Sequence, residues 1–208
     1  MLTLYFVRHG QTDYNLKGIV QGSGVDSSLN ATGQAQAQAF FEAYRHLTFD
    51  AVYASKLQRT HQTLAPWKAA GYDFEQHAGL NELNWGHHEG AVANAEMKAE
   101  FLQMLENWQQ GEIHDKVVNG ESPQEALDRA LPFLKQLTAD HMGQRVLICS
   151  HGRQLRVILS HLMDGDLTQM EQYKHQNTGV TIVRIAPSGT VQLDVLNNGT
   201  HLETLPIQ

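Results

Sequence analysis

Apolar residues recur along this chain with two different periods. The runs Leu2-Thr3-Leu4-Tyr5-Phe6-Val7 and Arg145-Val146-Leu147-Ile148-Cys149-Ser150 are almost continuously apolar, which is the pattern of strands buried on both faces. Asp50-Ala51-Val52-Tyr53-Ala54 reads as a third strand and residues 74–78 as a short fourth. Helical spacing fills the intervals. Asn30 can cap a helix that turns Ala35, Ala39, Phe40, Ala43 and Leu47 to one side, and a further helix is expected over about residues 56–70, stopped near Gly71. Residues 92–110 place Met97, Phe101, Met104, Leu105 and Trp108 together. Ser122-Pro123-Gln124-Glu125 is a helix start, with a Ser cap, Pro at the first helical position and Glu at the third. Leu127, Ala130, Leu131, Leu134 and Leu137 follow inward, and Pro132 is expected to kink or split that helix. Residues 152–163 read as a helix, and residues 179–186 and 190–196 as strands joined in a hairpin through Pro187-Ser188-Gly189. The glycine-rich, apolar-poor stretch 10–29 reads as a long loop.

Strands alternating with helices predict an α/β fold. The expected form is a three-layer sandwich: a mostly parallel central sheet, helices on both faces, and an antiparallel edge supplied by the terminal hairpin. With 208 residues and no repeat or linker, residues 1–208 are read as a single domain, in which residues 79–121 form a lid-like excursion over the site.

Composition narrows the function. Fifteen Lys and Arg against 22 Asp and Glu give a net charge of −7, which argues against a nucleic-acid surface and requires any anionic substrate to be drawn by local charge. One cysteine, Cys149, leaves no internal disulfide and reads as a small buried hydrophobe. No stretch approaches the about 20 apolar residues of a membrane span. The opening apolar run is short and ends on Arg-His, so a signal peptide is not expected and a cytoplasmic, membrane-independent protein is.

The chemistry lies at the strand ends. The first run stops on Arg8-His9-Gly10 and the strand at 145–150 stops on His151-Gly152. In open α/β sheets ligands bind outside the carboxyl ends of strands, so both imidazoles can face one site. Ser55, leading to Arg59, ends another strand, and Asn81-Glu82-Leu83-Asn84-Trp85-Gly86 adds a carboxylate. Arginine matches phosphate through its planar fork, histidine can attack phosphorus, and a carboxyl group can protonate a departing oxygen. Gly10 and Gly152 allow close approach of an anion to the backbone. His87-His88 suggests a metal, but no third ligand follows at a zinc-type spacing, so no metal site is expected. Arg153 and Arg156 read as a solvated helix face, and Trp67, Trp85 and Trp108 as core or lid packing.

These pieces carry a resemblance. Arg8-His9-Gly10-Gln11-Thr12 with Asn15, Gln21-Gly22, residues 26–33, Ser55-Lys56-Leu57-Gln58-Arg59-Thr60, residues 82–90, Gly120-Glu121-Ser122 and Ser150-His151-Gly152 occur in this order over roughly residues 2–185. The chain resembles the histidine phosphatase superfamily, the phosphoglycerate-mutase-like proteins, and within it the compact phosphatase branch. The resemblance implies that His9 is the phosphorylated nucleophile and that Arg8, Asn15, Arg59 and His151 hold the phosphoryl oxygens, with Gly152 beside them. Glu82 is then general acid and base, and Gln21 and Gly22 line the substrate. It implies no cofactor and no required metal, a small phosphorylated metabolite as substrate, and an acid optimum set by protonated Glu82 and neutral His9. One imidazole nitrogen of His9 is expected to donate to a backbone carbonyl. The stretch 109–116 lacks the paired arginines of the family's mutases, which disfavours phosphoglycerate mutase activity without removing it. A non-catalytic phosphate-binding module and a metal-dependent hydrolase are the other readings. Oligomeric state is not legible.

Overall fold

A computed structural model of the chain describes residues 1–203 and 205. Its six strands are β1 (Leu2–Arg8), β2 (Ala51–Ala54), β3 (Glu75–Gln76), β4 (Arg145–Ser150), β5 (Val180–Ile185) and β6 (Val191–Asn198). They form one sheet in the order β3-β2-β4-β1-β5-β6. The pairs β3–β2, β2–β4 and β4–β1 are parallel, and β1–β5 and β5–β6 are antiparallel. The mostly parallel α/β sandwich with an antiparallel edge is therefore the fold of the chain.

Side chains alternate across β1, as the pleat requires. Leu2, Leu4 and Phe6 join Val146 and Ile148 of β4 on the face covered by α6 (Pro123–Asp140) and α7 (Gly152–Asp164). Tyr5 and Val7 join Leu147 and Cys149 on the face covered by α2 (Ala31–Tyr44) and α4 (Ala65–Ala69), through Phe40, Leu64 and Trp67. The chain thus leaves β1 for one face of the sheet and leaves the adjacent β4 for the other. That reversal opens a crevice at the carboxyl ends of the two strands.

Residues 81–121 lie outside the sheet. Met104 and Trp108 of α5 (Ala95–Gln109) pack with Leu83, Val117, Ala126 and Leu127, and with Leu167 and Met170 of a 3-10 turn. The Trp108 indole N–H donates to the Asp115 carbonyl at 2.8 Å. Each such large apolar side chain contributes about 1.5–3 kcal/mol on burial.

Three local expectations change. The stretch 10–29 holds a short helix, α1 (Asp13–Lys17), closed by a capping box between Thr12 and Asn15 and stopped by Gly18 at φ 63°. The helix expected over 56–70 is two, α3 (Gln58–Thr63) and α4, because Pro66 has no N–H to continue the ladder through Leu64. Conversely, α6 runs unsplit through Pro132. Pro132 and Asp128, whose carbonyl loses its donor, are both exposed, so water can satisfy that carbonyl while Phe133, Leu134 and Leu137 hold the helix on the sheet.

Candidate active site

The strand register sets three polar residues side by side. Arg8 pairs with Ser150 and Ala54 with Cys149, so the residues that follow each strand, His9, His151 and Ser55, emerge together at the crevice. The His9 and His151 ring centroids lie 5.1 Å apart, and both residues are buried.

His9 has a defined tautomer. Its Nδ1 is 2.7 Å from the Gly10 carbonyl oxygen, which can only accept, so Nδ1 carries the proton and Nε2 keeps its lone pair. Burial, then the charges of Arg59 and Arg8, hold the ring well below its usual pKa. The loop around it is tightly packed. The Gly10 N–H donates to Thr63 Oγ1 at 2.9 Å, and a Cβ on Gly10 would meet the Gly33 carbonyl oxygen at 2.6 Å.

Arg59 is fully buried at the start of α3. Its Nε donates to His151 Nδ1 at 3.2 Å, Nη1 to the Val25 carbonyl at 2.8 Å and Nη2 to the Gly22 carbonyl at 3.1 Å. Three of its five N–H groups are used and two remain for a ligand. Burial lowers its pKa to about 10 against the opposing charges of Glu82, Asp26 and Glu89, so it stays cationic. His151 Nε2 contacts Ser55 Oγ at 2.7 Å, and burial followed by the charge of Arg59 pushes its pKa well down.

Arg8 reaches back with Nη1 to the His175 carbonyl at 2.8 Å. Its Nε is buried and has no hydrogen-bond partner among the described residues. Burial lowers its pKa and the charge of Glu82 opposes that. Gly152 makes room for this guanidinium, since a Cβ there would lie 3.3 Å from Arg8 Nε. Glu82, 8 % exposed, accepts three backbone N–H groups: Leu83 and Gln154 on Oε1 at 3.0 and 2.9 Å, and Arg153 on Oε2 at 3.1 Å. Two of those donors belong to the first turn of α7, where anions are favoured.

Asn15 Oδ1 accepts from the Thr12 N–H at 3.1 Å and from Asn177 Nδ2 at 3.3 Å, and Asn177 also donates to the His9 carbonyl at 2.9 Å. Gln21 donates to Thr12 Oγ1 at 3.0 Å and, with Asn15, lines an adjoining cavity. Gly22 gives its carbonyl to Arg59 and is crowded by Glu89 Oε1, 2.1 Å from a Cβ placed there. The arrangement therefore offers a neutral buried imidazole with a lone pair on Nε2, two guanidiniums with unspent donors, and a carboxylate whose charge is felt by both.

Sequence reasoning missed the supporting residues. Asn177, His175 and Thr63 escaped it, as did the linking role of the Thr60 hydroxyl. Ser55 reads from sequence as a strand end and a motif residue, without its contact to His151. The polar segment before β5 was the available signal, because an antiparallel strand begins where its parallel neighbours stop. Arg153 and Arg156 are not solvated: both pair with Glu171, and Arg153 is buried. His87 and His88 do gain a third potential ligand, Glu100 of α5, with one ligand atom from each within 4.8 Å of the others. His88 of that trio lines the cavity that Asn15 and Gln21 also line. Cys149 is buried and unpaired, as its strand position implied. Among the described residues no helix is long and apolar enough to cross a membrane.

The family model described as the histidine phosphatase superfamily, branch 1, matches residues 4–199. This chain belongs to that superfamily. A putative phosphoserine phosphatase 2 of Hydrogenobacter thermophilus is 30 % identical over 186 residues, covering 89 % of this chain and 90 % of that protein. A probable phosphoglycerate mutase GpmB of Citrobacter koseri is 33 % identical over 168 residues, covering 78 % and 75 %. Among solved structures, the α-ribazole phosphatase of Shigella flexneri superposes with a TM-score of 0.81 at 25 % identity, covering 94 % of this chain and 96 % of that one. The histidine phosphatase fold thus accounts for the whole sheet and both helical layers.

Proposed function

We propose that this histidine phosphatase hydrolyses small phosphomonoesters through a phosphorylated His9. The observation that carries the reading is the His9 ring: its Nδ1–H is pinned to the Gly10 carbonyl, its Nε2 is free, and burial with two neighbouring arginines keeps it neutral.

The phosphoryl oxygens take the Nη N–H groups that Arg8 and Arg59 do not spend on carbonyl oxygens, beside His151 and Asn15. His9 Nε2 attacks phosphorus and the ester P–O bond breaks. The leaving oxygen takes a proton from Glu82, whose Oε2 accepts a single backbone donor and so keeps a lone pair for proton exchange. Water then attacks phospho-His9 and gives its proton to Glu82, the P–N bond breaks, and inorganic phosphate leaves with His9 neutral again. Positioning and fixed charge supply the rate, and no step uses a metal or cofactor. Residues 79–121 serve as the lid, carrying Glu82 and one wall of the substrate cavity.

The relatives named as phosphatases support hydrolysis, and those named as mutases keep transfer between phosphoglycerate hydroxyls as the competing outcome. The test is phosphate release from an aryl phosphomonoester near pH 6 in excess chelator, by wild type and by His9→Ala. Release by wild type alone is expected. Release by both removes His9 from the mechanism, and loss in chelator makes the enzyme metal-dependent. Isomerisation of phosphoglycerate faster than phosphate release makes it a mutase.

A further inference from the structure

We infer that the leaving-group side of this site selects an apolar, ring-bearing alcohol carrying one phosphate, and selects against a second anionic group; this rests on the phosphatase reading above. A cavity of about 270 Å³ opens beside the phosphoryl-binding cluster. Asn15 and Gln21 form the seam: both line the cavity, and Asn15 is tied through Asn177 to the His9 carbonyl. Beyond the seam the walls are carbon, from Ile19, Val20, Met97, Trp85 and Phe101.

The aromatic wall is already set. Trp85 and Phe101 meet edge to face at 5.6 Å, and Trp85 leans on Trp108 at 6.4 Å. The Arg153 guanidinium lies over Phe101 and Trp108 at 5.6 and 5.4 Å and is held by Glu171. Rings fixed before binding give contact area at little entropic cost. An apolar cavity of about 150 Å³ takes up benzene, so this one has room for a single ring with a short stem.

Charge and hydrogen bonding point the same way. Lys98, exposed at the rim, is the cationic side chain among the lining residues, and none of them is an arginine. His88 is already engaged with Glu100 at 2.9 Å. A carboxylate, a second phosphate or a set of sugar hydroxyls placed against the carbon walls, away from the exposed Lys98 ammonium at the rim, would lose water without matching partners.

The experiment compares kcat/KM of the wild-type enzyme for benzyl phosphate, propyl phosphate and 3-phosphoglycerate, together with the calorimetric Kd of benzylphosphonate and methylphosphonate. Benzyl phosphate is expected to exceed both other esters by about tenfold or more, and benzylphosphonate to bind about tenfold tighter than methylphosphonate. Phe101→Ala should cut the benzyl-to-propyl ratio by about fivefold or more. Equal Kd for the two phosphonates, or a higher kcat/KM for 3-phosphoglycerate, overturns the inference while phosphate release keeps the phosphatase reading. No release from any ester together with tight benzylphosphonate binding overturns the phosphatase reading and leaves the subsite standing.

Discussion

Ser55→Ala tests whether one buried hydroxyl sets the protonation state of the second active-site histidine. The Arg59 Nε–H can only donate, so His151 Nδ1 accepts at 3.2 Å and the ring proton sits on Nε2, 2.7 Å from Ser55 Oγ. Ser55 Oγ also accepts the Leu57 N–H at 3.1 Å, passes its own proton to Thr60 Oγ1 at 3.0 Å, and Thr60 donates to the Leu57 carbonyl at 2.8 Å. All these donors then have acceptors in one consistent direction. Removing Oγ leaves two buried N–H groups without an acceptor, at about 1–3 kcal/mol each; turning of the His151 ring relieves part of this, so a stability loss of about 2–4 kcal/mol is expected. The His151 ring lies beside His9, with centroids 5.1 Å apart, and a misplacement of about 1 Å next to a reacting group costs about a hundredfold in rate, so kcat/KM should fall by about 30- to 100-fold. Urea unfolding reads the first effect, aryl phosphate hydrolysis the second, and two-bond nitrogen–proton correlation spectra of the imidazoles the cause. Wild type should show His151 protonated at Nε2 and Ser55→Ala a mixture of tautomers. A folded variant with wild-type kcat/KM, or an Nδ1–H on His151 in the wild type, refutes the relay.

Glu82→Gln should slow alkyl phosphate hydrolysis far more than aryl phosphate hydrolysis and also cost about 1.5–3 kcal/mol of stability, because an amide cannot accept all three backbone N–H groups; equal slowing of both esters argues against the acid role. Gly152→Ala places a Cβ 3.3 Å from Arg8 Nε, so the Ki for inorganic phosphate should rise about three- to tenfold with the fold intact; an unchanged Ki removes Arg8 from phosphate binding. His9, His151 and His175 all have depressed pKa values, headed by burial, with His175 at about 4. A lowered histidine pKa means that the unfolded chain binds protons first as the pH falls. Stability should therefore be intact above about pH 6.5 and decline below it, by up to about 1.4 kcal/mol per pH unit for each ring until its folded pKa is passed. Urea midpoints that hold constant from pH 7 to 5 contradict these depressed values.

The sheet was legible because its central strands are continuously apolar, and the site because such strands end abruptly on cations and imidazoles. Arg59 marks the limit of composition: read alone, it is a solvated helix start, and only its place in an ordered set of motifs pointed to a buried functional group. Arg153 and Arg156 show what stayed hidden, since their partner Glu171 reaches them only when the 3-10 turn at Leu167–Gln172 folds back on α7. Glu82 shows it more sharply. Nothing local places a loop carboxylate beside two arginines. The cause is α7, whose N-cap residue His151 makes no side-chain cap, so its first free amides draw in an anion from another segment. With the Arg153 and Gln154 amides spent on Glu82 and the ring N–H groups of His9 and His151 spent on Gly10 and Ser55, the proposed phosphate site depends mainly on guanidinium groups. The helix that fills its own anion site with a carboxylate thereby fixes Glu82, the proposed proton-transfer group, at the crevice, and Gly152, at its first residue, makes room for the Arg8 guanidinium.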